Sequence, residues 1–365
     1  MPPSLALPVL CGQLLVGGFA TPGLSATFRQ ALERGERGGA ILFRRNLGGS
    51  AGDVAALTRA LGEAAPPHLP PLVGVDQEGG RVARLGPPVL RLPPMRALGR
   101  LADAGLVGRA ARTLGAQLAA LGFTMSFAPV LDVDTCPVNP VIGDRSFGSD
   151  PSLVARLGAA FAAGLQAGGV MACGKHFPGH GDTTVDSHKD LPRVARPRAR
   201  LDAVELVPFR DLPAGACAAL MTAHVVYEAL DADQPATLSR RIAHDLLRVE
   251  LGWRGLVVSD DLEMKAVADR LPIEQSAVQA VRAGCDLLLV CASEDLQDRA
   301  HAALVRAAER DASFREQVEA SVARGLEARR RRPPRPVAGD PLLDGAFGVS
   351  AQEVARALED RGVFG

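Results

Sequence analysis

Eight short apolar runs, spread through 365 residues and separated by amphipathic Ala/Leu/Arg-rich segments, constrain the fold of this chain more than any other feature. They lie at 13–17, 39–43, 72–76, 124–129, 170–176, 218–224, 256–260 and 286–290. Most are four to seven residues long, which suits strands buried on both faces of a parallel sheet. The segments between them carry helix start and stop signals. Asp150-Pro151 offers an N-cap and a first-turn proline, and Gly168-Gly169 ends that helix before the fifth run. Pro272 opens a helix that Gly284 closes before the eighth. Eight such units predict an α/β fold, a single (β/α)8 TIM barrel, rather than an open doubly wound sheet. No GxGxxG follows a strand, which argues against a dinucleotide fold.

The barrel is expected over residues 1–332. The Arg329–Arg332 run reads as a solvated helix end, and Pro333-Pro334-Arg335-Pro336 marks the close of the compact domain. A C-terminal extension over 333–365 remains, with Ser350-Ala351-Gln352-Glu353 in capping-box form opening a short helix to about Glu359. Composition sets the outer bounds. With 47% hydrophobic residues the chain buries a large core, and a formal charge of +0 without a basic, aromatic-laced stripe speaks against nucleic acid. No apolar run reaches membrane-spanning length and no basic segment precedes an apolar one at the N-terminus. A cytoplasmic protein is therefore expected, with no membrane partner and the monomer as favoured state. The six cysteines form no CxxC pair and read as buried free thiols. One Trp and one Tyr leave few stacking platforms for a long polysaccharide.

The chemistry concentrates at the exits of the strands. Residues 174–188 hold three of the seven histidines, Lys175, Asp182 and Asp186 around a Gly- and Pro-rich loop. Lys175 is one of only three lysines, with Lys189 and Lys265, in a chain whose basic residues are otherwise arginine. Asp76, Asp132, Lys175-His176, His224 and Asp260 lie at or beyond the C-terminal ends of different strands, which a barrel brings to one face. Any one of them could cap a helix; five together point to a site. Asp260 is the strand-end carboxylate, able to serve as nucleophile, metal ligand or cap, and Asp261 is expected to help start the next helix. Asp186, two positions before His188, is placed to fix an imidazole's tautomer and raise its basicity for general acid–base work. His176, His180, Asp182 and His188 are zinc-compatible, but no HExxH or HxH spacing puts two ligands on one element, so no metal and no cofactor are expected. The segment 73–81 adds two carboxylates, Asp76 and Glu78, and Arg81 beside a glycine pair that permits close backbone approach. Asp76 can accept hydrogen bonds from two adjacent hydroxyls, and Arg145 adds a donor from a later loop. Carboxylates, a lysine, a histidine and arginines around one pocket describe a site for a polyhydroxylated, N-acylated ring.

Taken in order, VDQEGGRV (75–82), FAPVLDVD (127–134), NPVIGDRSFG (139–148), KHFPGHGDT (175–183), DSH (186–188), MTAHV (221–225) and SDDLEM (259–264) resemble glycoside hydrolase family 3. The match is to its bacterial β-N-acetylglucosaminidases of the NagZ type. The resemblance implies a retaining exo-β-N-acetylglucosaminidase with Asp260 as nucleophile and His188, paired with Asp186, as acid/base. It also implies that Asp76, Arg81, Arg145, Lys175 and His176 hold the sugar. The implied substrate is a GlcNAc-containing muropeptide met in peptidoglycan recycling. The chain is too short for the second, sandwich domain that other members carry, and the DSH loop points to the hexosaminidase branch. A β-glucosidase or a glycosidic phosphorylase on the same barrel is the nearest rival; a non-catalytic sugar-binding protein is the rival from another class. The tail after Arg332 matches no pattern.

Overall fold

The computed structural model describes residues 5–187, 190–340, 342 and 345–364. His188 and Lys189 lie outside the described residues. Eight parallel strands close a barrel: β1 (Leu15–Gly17), β2 (Gly39–Leu42), β3 (Leu72–Val75), β4 (Met125–Ser126), β5 (Met171–Phe177), β6 (Ala219–Thr222), β7 (Leu256–Asp261) and β8 (Leu287–Val290). Each pairs with its sequence neighbours, and β8 closes on β1 through Leu15–Leu288, Val16–Leu289 and Gly17–Val290. The protein is a (β/α)8 barrel, as the eight apolar runs require.

Parallel pairing leaves every strand covered on both sides, and side chains alternate between lumen and helix layer with a period of two. The lumen is filled by Val16, Ile41, Leu72, Met125, Phe127, Met171, Cys173, Ala219, Met221, Leu256, Val258, Leu287, Leu289 and Cys291. Gly74 faces the same space without a side chain; a Cβ there would stand 2.7 Å from the Phe127 ring. This alternation builds the site. On β5 the inward residues run Met171, Cys173, Lys175; on β7 they run Leu256, Val258, Asp260. Asp76 follows β3 at the next inward step after Leu72 and Gly74. These three lumen columns thus end in a charged residue at the C-terminal mouth.

Helix Pro151–Ala167 starts on Asp150, whose carboxylate accepts from the Ser152 amide, and stops at Gly168. Helix Ile273–Ala283 runs between Pro272 and Gly284. Two expectations for the C-terminal part need correction. Helix Val349–Glu359 has Gly348 at its N-cap and no side-chain cap, so Ser350 sits inside the first turn, two residues too late to close a capping box. The Arg329–Arg332 run is a solvated helix end only in part: Arg330 and Arg331 are exposed, but Arg329 and Arg332 are not. Helix Ala312–Arg331 lies against the N-terminal end of the barrel, so Arg329 is fully buried, donating to the Gly38 and Gly325 carbonyls. Arg332 also turns inward, onto the Val170 and Gln166 carbonyls. Beyond it, Val337 donates to Ala120 O and accepts from Arg59, and Leu358 is buried in the cluster that includes helix Ala104–Ala120. Among the described residues no helix is long and apolar enough to cross a membrane.

Candidate active site

A cavity of ≈ 200 Å³ opens at the C-terminal mouth, lined among others by Asp76, Glu78, Arg84, Arg145, Lys175, His176, His180, Ser187, Asp260 and Asp261. The floor is a chain of alternating charges. Lys175 Nζ lies 2.9 Å from Asp76 Oδ1 and 2.6 Å from Glu78 Oε1. Glu78 in turn takes a two-point bond from Arg145, Nε to Oε2 at 2.9 Å and Nη2 to Oε1 at 2.8 Å. Asp76 closes the other end on Arg84 at 3.3 Å. Burial would raise the Glu78 carboxyl, but Arg145 and Lys175 reverse that and hold it well below the ordinary range. The same exchange keeps Lys175 charged: burial opposes its ammonium, and Asp76 and Glu78 outweigh burial. Both cations stay ionised, with donors left over for hydroxyl groups.

His176 follows Lys175 on β5, where the register with β6 shifts between Lys175 and Phe177. Its orientation comes from Asp132, fully buried below the cavity. The carboxylate takes His176 Nδ1 at 2.7 Å on one oxygen and the backbone amides of His176 and His180 at 3.1 and 2.6 Å on the other. The imidazole is thereby held by one nitrogen, leaving Nε2 for a ligand. Burial pushes the Asp132 carboxyl up, and His176 and His180 draw it down below its usual value.

Asp260 stands at the exit of β7 with Oδ1 2.8 Å from the Asp261 amide. Burial works against its charge; the imidazoles of His224 and His176, the Asp261 amide and Lys175 outweigh it, so the carboxyl titrates below the ordinary range. An ionised carboxylate at the end of a buried strand, facing a cavity, has what a nucleophile needs. Asp261 behaves differently. Burial raises it to about 7, with Glu263 and Asp260 adding to that rise. The expectation that Asp261 starts a helix is also corrected. It is the last residue of β7, and its Oδ1 accepts from the Glu263 and Cys291 amides, tying β7 to the exit of β8; the next helix, Lys265–Ala268, is capped at Met264. His224, buried behind this strand, donates from Nε2 to Asp261 O at 2.9 Å and so steadies the same exit.

The structure thus gathers Asp76, Arg145, Lys175, His176 and Asp260 around one space. Arg81 does not line it: it is bonded to Asp144 and to the Val141 and Ile142 carbonyls on the rim, and Arg84 reaches in instead. The turn at Gly79 and Gly80, with φ of 120° and 53°, folds 77–79 back on 82–83 and explains the exchange. Asp186 is half-buried on the loop after β5, its carbonyl accepting from the Asp190 amide at 3.1 Å. His188 falls outside the described residues. Of the zinc-compatible residues, His180 spends its ring on Thr183 and Ser187, and Asp182 is paired with Arg196. Sequence reasoning set Glu78 beside Asp76 without a partner of its own, gave Arg84 no role and did not connect Asp132 with His176. The spacing Asp76–Glu78, two residues apart at a strand exit, carried a usable signal for the first.

The sequence profile of the glycosyl hydrolase family 3 N-terminal domain matches residues 10–328. The chain belongs to glycoside hydrolase family 3. Within that family it is 41% identical over 281 residues to the beta-hexosaminidase of Nitrosomonas eutropha, covering 75% of this chain and 79% of the relative. Among solved structures, a family 3 beta-N-acetylglucosaminidase from Paenibacillus sp. superposes with a TM-score of 0.90 at 41% identity, over 98% of this chain and 69% of that one. NagZ from Neisseria gonorrhoeae, in complex with N-trifluoroacetyl-D-glucosamine, superposes with a TM-score of 0.71 at 34% identity, over 85% and 97% of the two chains.

Proposed function

We propose that this family 3 β-hexosaminidase is a retaining exo-β-N-acetylglucosaminidase acting on muropeptides in the cytoplasm, during peptidoglycan recycling. The observation that carries the reading is Asp260: ionised, on the inward register of β7, and opening on the cavity that Asp76, Lys175, His176 and Arg145 line. A cavity of ≈ 200 Å³ leaves room for one sugar ring, which supports removal of a single terminal residue. The related NagZ complex contains a glucosamine derivative with an acyl group on nitrogen, the substituent expected of this enzyme's own substrate.

Asp260 attacks the anomeric carbon, the bond to the leaving oxygen breaks, and His188, held by Asp186, gives that oxygen its proton. The glycosyl-enzyme ester is then opened by water, whose proton returns to His188. Asp76 accepts from ring hydroxyls, Lys175 and Arg145 donate to them, and His176 meets them through Nε2. A metal-free reaction is supported by the described zinc-compatible residues: His180 spends both ring nitrogens on Thr183 and Ser187, and Asp182 is paired with Arg196. The test is a panel of aryl β-glycosides of N-acetylglucosamine, N-acetylgalactosamine and glucose, with and without EDTA, followed by release of N-acetylglucosamine from purified muropeptides. Preference for N-acetylglucosamine, indifferent to EDTA, is expected. Preference for glucose, or activity restored only by zinc, would overturn the reading.

A further inference from the structure

The loop after β5 carries one hydrogen bond that the reaction scheme above does not use. Thr184 and Val185 are exposed and Asp186 is half-buried, yet Ser187 is 2% exposed and points into the cavity wall. Its Oγ lies 3.1 Å from His180 Nε2, and its carbonyl accepts from the Ala266 amide. His180 is a fixed post. Its own amide donates to Asp132 at 2.6 Å, its carbonyl accepts from Asn139, and its Nδ1 lies 2.9 Å from Thr183 Oγ1. The Thr183 hydroxyl donates to the His180 carbonyl at 3.1 Å, so its oxygen accepts from Nδ1. That tautomer leaves Nε2 with a lone pair, and Ser187 Oγ–H is the donor that meets it. Burial, with His176 adding to it, lowers His180 to about 4, so the ring stays neutral and keeps the lone pair. Asp132, which anchors His180, is also the carboxylate that orients His176.

We propose that Ser187 is a positioning residue for catalysis: its bond to His180 pins the segment carrying Asp186 and His188 to the Asp132 network that orients the sugar-binding histidine. Ser187 touches neither substrate nor the reacting atoms in this scheme; it acts through the loop. The proposal rests on the acid/base reading of His188. A latch of this kind supports proton transfer to the leaving group and contributes little to holding the sugar.

Ser187→Ala, Ser187→Thr and His188→Ala, compared on N-acetylglucosaminides of graded leaving-group pKa, test it. Ser187→Ala should slow turnover of poor leaving groups about tenfold or more, a part of the roughly 10²–10⁴ that acid–base assistance supplies. Glycosyl-enzyme formation from a dinitrophenyl glycoside and inhibition by free N-acetylglucosamine should stay within about twofold of wild type, because neither needs the proton. Ser187→Thr keeps the hydroxyl and should recover most of the loss, which also covers the case in which the alanine variant fails to fold. A loss in Ser187→Ala that is equal for all leaving groups, or no loss, would overturn the latch while leaving His188 in place. If His188→Ala itself shows no leaving-group dependence, the acid/base reading fails and the latch with it.

Discussion

The barrel contains two buried ionic clusters of similar make, one at each end. At the C-terminal mouth, Asp76, Lys175, Glu78 and Arg145 form a chain that faces a cavity. At the N-terminal end, fully buried Asp286 is gripped by Arg324 through Nε and Nη2 at 2.9 and 2.7 Å, by Arg248, and by the Val257 amide at 2.9 Å. The lower cluster ties helix Arg241–Glu250 and helix Ala312–Arg331 to β7 and the start of β8. It uses both carboxylate oxygens on protein partners, and Asp286 itself faces no cavity; only Arg324 borders the wide groove at that end. The upper cluster is built from side chains at strand exits and loops, with donors and acceptors left for a ligand. Two groups with the same chemistry thus serve different ends, and position along the barrel axis decides which.

Four substitutions probe that division, in falling order of effect. Asp260→Ala should cost several orders of magnitude in turnover with the melting temperature kept, and a 2-fluoro glycosyl inactivator should label Asp260 in the wild type. Labelling at Asp261 or Glu263 would move the nucleophile. Glu78→Gln removes the shared counter-charge of Lys175 and Arg145, so kcat/KM should fall about 10²-fold, close to 3 kcal/mol of lost transition-state binding. Loss of folding without that kinetic signature would place the upper cluster with the structural one. Asp286→Ala should do the reverse. Leaving Arg248 and Arg324 without their carboxylate should destabilise the fold by about 3–5 kcal/mol in denaturant titrations, with kcat/KM of the folded protein unchanged. A selective loss of activity there would break the comparison.

The smallest effect belongs to Asp261 and is read as pH dependence. Its folded carboxyl is raised to about 7, whereas an unfolded aspartate titrates near 4. The stability it contributes is fully present below the unfolded value and is lost as pH rises through the folded one. Wild-type melting temperature should therefore decline from about pH 4 to 7 more steeply than that of Asp261→Asn, whose amide oxygen can still accept from the Glu263 and Cys291 amides. At pH 8 the variant should be the more stable protein, by a few degrees. Equal pH profiles would show that Asp261 ionises freely beside Asp260. Asp260 and Asp132 carry the opposite sign: both are depressed in the fold, so their contributions appear above the unfolded value and vanish as pH falls through the folded one.

Much of this was legible from the chain alone, because burial on both faces forces an apolar run and a period-two pattern leaves its mark on composition. The eight runs located all eight strands to within a few residues, and the strand-end rule brought Asp76, Lys175, His176 and Asp260 to one mouth before any coordinates. The boundary signals at Asp150-Pro151 and Gly168 were local and survived folding. What tertiary structure decided was each polar group's partner. Arg81 and Arg84 are three residues apart and chemically identical; only the fold of the 77–83 hairpin sends one to the rim and the other to Asp76. Arg329 looks solvated in a four-arginine run, yet the path of its helix across the barrel buries it. Glu78, Asp132 and Ser187 gained their roles from residues dozens of positions away or from a loop folding back on itself. Strand and helix patterns arise from neighbours along the chain, so sequence determines them. Hydrogen bonds and ion pairs depend on distances of about 3 Å between remote segments, and only packing sets those.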